Sequence, residues 1–483
     1  MFFFCSLKGN YFNYIWYRDE YNLPKNKTFL ELLDYYETVG HILGHNPSLY
    51  FDTKFYRKKY KLDYSISPLT HFCQNSSLPG NSYLPNSKCE FYIPPHLTSL
   101  QNGFTNVLNE FIPLKSEKKR INILLPVFSL SAGPMTAYII ANNLKKLGYN
   151  VRLISMYSEF IKSHIIEKLH ERIKDFDDSI EMDSLYSSDI CLSYDDIFIT
   201  TAWWTVYPLK FILGYMNFKK FFWLIQENEL VIHSCGTDYA KALDCYNMDY
   251  VSIINTSLLF DDLKKINLGK FGNEQYCINE CVCFEPSFNK DQFYFEEHTS
   301  EKIKIIFYSR GTNIAERNLY DLCVNVLKVA VINGFINCDD FEIISFGDDD
   351  TGDIDFGKSV VSKNLGFLSL EDYSKLMRSS DILISFQLAP HPSYPPLEMS
   401  HCNGVCLHTN FSSKNQESIS RYTDKIIMSN PDILSLTFGL KKCIDIIKTK
   451  SLELQTDPKL FNTNWSIALD KSIERILSDF NDI

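Results

Sequence analysis

The pattern of apolar and polar positions changes character along the chain. Ile121–Leu125 is an unbroken apolar run of strand length and predicts a buried strand. A turn, Ser129–Gly133, leads into a helix with Pro134 at its first position, where a missing N–H would have no helical partner. Ala137, Ile140, Ala141, Leu144 and Leu147 share one helical face, and Gly148 fits the stop. Val151–Ile154 is the next strand, which closes a βαβ unit. Further strands are predicted at Ile197–Thr200, Phe221–Ile225 and Val251–Ile254. The alternation restarts with a strand at Ile303–Tyr308, a helix near Glu316–Val331 and a strand at Phe341–Phe346. A helix at Glu371–Arg378, a strand at Asp381–Phe386, a short helix from near Pro396 and a strand at Gly404–Leu407 complete it.

Two separate blocks of alternating strands and helices imply an α/β fold of two doubly wound, Rossmann-like domains facing across a cleft. We place them at residues 116–290 and 291–483, with Glu285–Phe288 in the linker and the last helix a candidate to cross back. Residues 1–115 form an N-terminal extension rich in Tyr, Asn and Pro, without that alternation. The charged run Lys115–Arg120 marks its end. Open parallel sheets bind ligands beyond the carboxyl ends of their strands, so the cleft is the default site.

Composition narrows the function. The 483 residues suffice for about three domains, and 45% hydrophobic with 22% charged residues is ordinary for a globular chain. A net charge of -11 argues against a nucleic-acid surface and leaves room only for a local basic pocket. No apolar run reaches the roughly 18 residues of a membrane span. Met1–Cys5 is apolar, but Lys8, Asn10 and Asn13 follow too soon for an export signal. The expected location is the cytoplasm, with peripheral contact at the inner face of the cell membrane left open. The 14 cysteines are expected reduced there. Cys277, Cys281 and Cys283 lack a well-spaced fourth ligand and read as strand and loop residues rather than a zinc site.

Five stretches carry candidate chemistry. The turn ending at Gly133 could offer backbone N–H groups to a ligand, or be an ordinary strand-to-helix turn. Ser309 and Arg310 end a strand, and Arg317 stands near the next helix; two guanidinium groups could pair with a diphosphate, or be solvated. His391, Pro392, Ser393, Tyr394 and Glu398 lie in a proline-stiffened loop entering a helix. There Ser393 could donate to a phosphate and Glu398, in the first turn, could accept from a ribose or merely complement the helix dipole. Gln226, Glu227 and Glu229 follow a strand and suit sugar hydroxyls or proton transfer, or a charged turn. Thr201, Trp203 and Trp204 follow another, where the indoles could stack on a sugar or fill a core. No Asp-x-Asp pair stands at a suitable strand end for a metal, and Asp348–Asp350 reads as a solvated loop.

These stretches together resemble the GT-B glycosyltransferases of bacterial surface-polysaccharide synthesis, in the group typified by the rhamnosyltransferase WsaF. Thr200–Thr205, Phe222–Glu229, Ile306–Arg310, Asn364–Leu368 and His391–Met399 occur in the family's order across roughly residues 120–440. Upstream, Asn46–Asp52, Phe55–Tyr56 and Ser67–Phe72 are similar to a module often attached to such enzymes. The resemblance implies a glycosyltransferase with a nucleoside-diphosphate sugar as substrate, dTDP-rhamnose being one candidate, and no further cofactor. It implies a metal-independent, retaining transfer to a polysaccharide acceptor. Ser309, Arg310, Arg317, His391, Pro392, Ser393, Tyr394 and Glu398 would bind the donor. Gly133, Thr201, Trp203 and Trp204 would face the acceptor, while Arg310, Arg317, Gln226, Glu227 and Glu229 would act in catalysis. The wider family often carries another Glu eight positions before Glu398, where this chain has Pro390. Two other readings on the same fold are a non-catalytic glycan- or nucleotide-binding subunit and a sugar-nucleotide epimerase.

Overall fold

Apolar runs flanked by amphipathic helices assemble into two parallel sheets within one of the chain's two compact units, Asn109–Ile483. The structure is a computed structural model. It describes residues 12–24, 26–48, 51–75, 111–114, 118–158, 160–187, 189–233, 235–287, 289–297, 300–309, 317–348, 351–449 and 464–482. The strands of the first half are β1 (Phe111–Leu114), β2 (Ile121–Leu125), β3 (Val151–Ser155), β4 (Glu181–Ser184), β5 (Ile190–Ser193), β6 (Ile197–Thr200), β7 (Phe221–Ile225), β8 (Tyr250–Asn255) and β9 (Cys281–Phe284). Seven of them form a sheet of order β4-β3-β2-β6-β7-β8-β9, parallel throughout. The second half contributes β10 (Ile303–Tyr308), β11 (Phe341–Phe346), β12 (Asp355–Gly357), β13 (Val360–Asn364), β14 (Ile382–Ser385), β15 (Val405–Thr409) and β16 (Ile426–Ser429). Their order is β12-β13-β11-β10-β14-β15-β16, with only β12 antiparallel to its neighbour.

The central strands are largely apolar because helices cover both faces of such sheets. In the second sheet Ile305, Phe307, Ile382 and Ile384 pack with Val326, Leu327, Leu436 and Leu440. The alternate residues Ile306, Leu383 and Cys406 pack instead with Met377, Leu397 and Met399. In the first sheet Ile121, Ile123 and Ile199 meet Ala137, Ile140 and Leu144 of the helix Ala132–Lys146. The C-terminal helix Asp470–Asn481 returns to this first core, where Ile473, Ile476 and Phe480 are buried.

Three helix starts differ from expectation. The first helix begins at Ala132, so Pro134 is its third residue; no N–H in the first turn has an intrahelical acceptor, so proline is tolerated there as well. The helix after β10 begins at Tyr320 rather than near Glu316, after Leu319 in a left-handed conformation. The helix after β14 begins at Tyr394, two residues before Pro396. Phe111–Leu114, assigned above to the extension, instead pairs in parallel with β5, a match that Pro113 disguises in the sequence.

The other compact unit, Met1–Leu108, is helical where described, with helices Tyr14–Glu20, Phe29–Tyr35, Thr53–Tyr60 and Pro68–Asn75. Its motif residues are largely structural. Asp52 caps one helix by accepting the Phe55 N–H at 2.8 Å, and Asn46 accepts the Thr53 N–H at 2.9 Å. Phe51, Tyr56, Leu69 and Phe72 form its core with Tyr17 and Tyr36.

Truncating a fully buried side chain of the returning helix removes apolar contact and leaves a cavity. Ile476→Ala is expected to lower stability by about 2–5 kcal/mol, read as a shift in the urea midpoint. An unchanged midpoint would mean that this helix does not belong to the first core.

Candidate functional site

In each sheet the strand order reverses at one point, with β3 and β6 flanking β2, and β11 and β14 flanking β10. Crevices form at such points beyond the strand carboxyl ends. Here both crevices open into one cleft of about 1340 Å³, lined from both sheets and by Asn464–Ser466.

On the first sheet's side, the turn after β2 and the ends of β6 and β7 supply the lining. Gln226 Nε2 donates to the Gly133 carbonyl at 2.9 Å, which ties β7 to the turn. A Cβ added at Gly133 would lie 3.6 Å from that nitrogen, ordinary contact, so space alone does not demand glycine. The Thr201 hydroxyl donates to Leu124 O at 2.8 Å. Trp203 differs from expectation. It is fully buried, its Nε1–H donates to His233 at 2.8 Å, and its ring cannot stack on a sugar. Trp204 does line the cleft, and its buried Nε1 has no hydrogen-bond partner among the described residues. Glu229 is buried and accepts the Trp203 N–H at 3.4 Å. Burial pushes its pKa up to about 8, so it stands protonated at neutral pH.

On the second sheet's side, Ser309 is turned away from the cleft: it is fully buried and its hydroxyl donates to Asn364 Oδ1 at 3.5 Å. A short polar side chain at a strand end satisfies itself on the neighbouring strand here, which removes it from the donor set. Arg310 lies outside the described residues. Arg317 lines the cleft, with Nη1 3.6 Å from Glu227 Oε2 across it. His391 is buried and lines the cleft, and its Nδ1 accepts the Ser393 N–H at 2.9 Å. Pro392 is buried beside it. Tyr394 partly stacks on His391, and its hydroxyl accepts from Asn255 Nδ2 at 2.8 Å, joining the two sheets. Both ends of that bond adjoin strained backbone: Ser393 has φ 64° and ψ 151°, and Thr256 has φ 127° and ψ 159°. Non-glycine residues rarely adopt this region, and such strain, about 1–3 kcal/mol each, clusters at functional sites.

Two expectations about this helix change. Glu398 is its fifth residue, past the first turn, so the dipole account of it falls. Its Oε2 accepts from Tyr373 Oη at 2.6 Å, and burial raises its pKa to about 7. Pro395 and Pro396 have no N–H, and the Ser393 N–H is used by His391. The helix tip therefore presents at most the Tyr394 N–H to an anion.

Sequence reasoning missed the residues that connect these groups. Gln387 Nε2 donates to Glu227 Oε2 at 3.4 Å. The Gln387 backbone carbonyl accepts from Lys414 Nζ at 3.2 Å, and His408 Nε2 accepts from the same ammonium at 2.8 Å. The other His408 nitrogen bonds to Ser385 O. Lys414 is fully buried, and burial drives its pKa down while Glu227 opposes that shift. Burial likewise drives Glu227 up, opposed first by Arg317 and also by Lys414. Gln387 lies two residues past β14 and Lys414 five past β15, so the strand-end rule could have flagged both. Among the described residues no group of three or more His, Cys, Asp or Glu could hold a metal ion, and no helix is long and apolar enough to cross a membrane.

The N-terminal domain of WsaF matches residues 120–257, and the C-terminal domain of WsaF matches residues 303–441. The chain belongs to the WsaF family of glycosyltransferases. The two matched segments contain all the cleft groups singled out above except Asn464–Ser466. A further relative is the O-antigen biosynthesis protein RfbC of Myxococcus xanthus, 24% identical over 290 residues, which make up 59% of this chain and 21% of that protein. The chain thus spans about a fifth of the length of that relative. Among solved structures, Anabaena Alr3699/HepE in complex with UDP-glucose superposes with a TM-score of 0.51 at 12% identity, covering 74% of this chain and 99% of that one. The architecture is accordingly GT-B, two parallel-sheet domains about a cleft.

For this family member the buried Glu398 sets a pH signature. Its pKa is raised from 4.5 to about 7 in the folded protein, so the folded state holds this proton more tightly than the unfolded one. The stability it contributes is full below pH 4.5 and is lost as pH rises through 7. Glu398→Gln is expected to flatten the fall in stability across that window, measured by denaturant unfolding at several pH values. A slope identical to the parent's would contradict the assigned burial.

Proposed function

We propose that this protein moves a sugar, rhamnose being the first candidate, from a nucleoside diphosphate to a polysaccharide of the O-antigen class, with retention and without a metal. The observation that carries the reading is Arg317 in the cleft at the switch point of the second sheet. Its Nη1 is buried, close to a carboxylate, yet without a hydrogen-bond partner among the described residues. A departing nucleoside diphosphate gathers negative charge, and a guanidinium already in place stabilises that charge without reorganising. Arg310, seven residues earlier, is proposed as its partner, and the buried Lys414 adds positive potential from beneath. These cations can do the work for which a divalent ion is otherwise recruited. Phe367, 75% exposed at the cleft edge, offers a face on which a nucleobase can stack. Glu398 supports ribose recognition through its position in the lining, and Trp204 and Gln226 supply the acceptor side.

Retention is the proposed stereochemical course. Of the acidic residues lining the cleft among the described residues, Glu227 is engaged with Arg317 and Gln387, while burial raises Glu229 to about 8 and Glu398 to about 7, the range in which a carboxyl exchanges protons at neutral pH. The anomeric configuration of the product, read by NMR, therefore tests retention, and an inverted product would contradict it. The RfbC relative supports the polysaccharide setting by its name alone. A site at the inner face of the membrane, where lipid-linked acceptors are built, is part of the proposal.

The test is incubation with labelled dTDP-rhamnose, UDP-glucose and other sugar nucleotides in the presence of a lipid-linked polysaccharide acceptor. Label is expected in the glycan, and Arg317→Ala is expected to cut turnover by about 100-fold or more while the variant stays folded by circular dichroism. Binding without turnover would point to a non-catalytic subunit, an isomerised nucleotide to an epimerase, and full activity in the variant would remove Arg317 from the donor site.

A further inference from the structure

Two buried polar side chains on the connection after β14 each keep one polar atom without a partner among the described residues, and the role of that atom is fixed by what the other one touches. Gln387 and His391 both line the cleft at 8% and 5% exposure. Gln387 Nε2 donates to Glu227 Oε2, so its Oε1 is left as an acceptor, and that atom has no partner among the described residues. The reverse amide orientation would set oxygen against a carboxylate already paired with Arg317. On His391, Nδ1 accepts the Ser393 N–H and so carries no proton. In the neutral ring Nε2 must then carry it. Nε2–H is a buried donor, also without a partner among the described residues. Burial and the nearby Lys414 and Arg317 keep the ring neutral, with a pKa near 3. The strained backbone of Ser393 is part of the same arrangement, because it brings that N–H back onto the imidazole.

A buried donor and a buried acceptor left open in one connection cost free energy unless a ligand uses both. A hydroxyl group can accept from the first and donate to the second. A phosphate or carboxylate oxygen can only accept, so it would leave Gln387 Oε1 unmatched. The connection is also anchored beside the cation assigned to the diphosphate, since the Leu388 N–H donates to Arg317 O at 3.0 Å. We propose that Gln387 Oε1 and His391 Nε2 recognise hydroxyls of the transferred sugar. This rests on the transferase reading above. It assigns the sugar subsite to a glutamine and a histidine.

The experiment is isothermal calorimetry of the full chain with dTDP-rhamnose, UDP-glucose, UDP-galactose and UDP-glucuronate, each against its own free nucleoside diphosphate. The parent protein is expected to bind at least one of these sugar nucleotides about tenfold or more tightly than its diphosphate alone. Gln387→Ala and His391→Ala are expected to erase the gain while keeping the diphosphate affinity, which also shows that each variant is folded. His391→Asn, which keeps an N–H donor, should restore part of it. Variants that keep the full gain, or that lose diphosphate and sugar affinity together, would each overturn the assignment. A parent that binds none of these nucleotides would instead bring down the transferase reading and this inference with it.

Discussion

A carboxylate buried at the meeting of two sheets is the constraint around which the cleft is arranged. Glu227 leaves the end of β7 at 9% exposure, where an unpaired charge would be costly. It is compensated by groups from the other domain: the Arg317 guanidinium, the Gln387 amide and, through the field, the buried Lys414. Each of these lies just beyond a strand of the second sheet or before its next helix. The charges that keep Glu227 solvated by protein therefore also fix how the donor-side loops approach the acceptor-side turn. A second tie, Asn255 to Tyr394, holds the same two sheets together from strained backbone at both ends.

On the proposed reading, this arrangement lets the cleft handle a diphosphate although the whole chain is acidic. Net charge of -11 sets the average potential, but a guanidinium and an ammonium set in a partly desolvated crevice set the local one. It also explains why acidic side chains line a site for an anion. Glu229 and Glu398 are pushed toward their neutral forms by burial and so act there as hydrogen-bonding groups rather than as charges.

The α/β architecture was readable because its signal is local. A run such as Phe221–Ile225 can only be a covered strand, and the periodic face of Ala137, Ile140 and Leu144 can only pack against one. Helix starts were read less well, since prolines such as Pro134 and Pro396 fit anywhere in a first turn. Motif stretches led to loops that line the cleft, yet not always to side chains that face it. Nothing in Trp203-Trp204 says which indole turns inward, because that is decided by His233, thirty residues away. Ser309 likewise looks like a donor ligand until Asn364 is seen beside it. Lys414 and Gln387 carry no local mark beyond lying just past strand ends; their roles emerge when β7, β14 and β15 bring Glu227, Gln387 and Lys414 together.

The central claim is that Glu227 and Lys414 neutralise one another across the domain boundary, and a double-mutant cycle on folding stability tests it most directly. Glu227→Gln and Lys414→Met are each expected to cost about 1–3 kcal/mol, because each removes one of the groups that compensate its buried partner. The double variant should lose less than the sum by more than about 1 kcal/mol. Losses that add to within about 0.5 kcal/mol would show the two charges to be independent and would contradict the account.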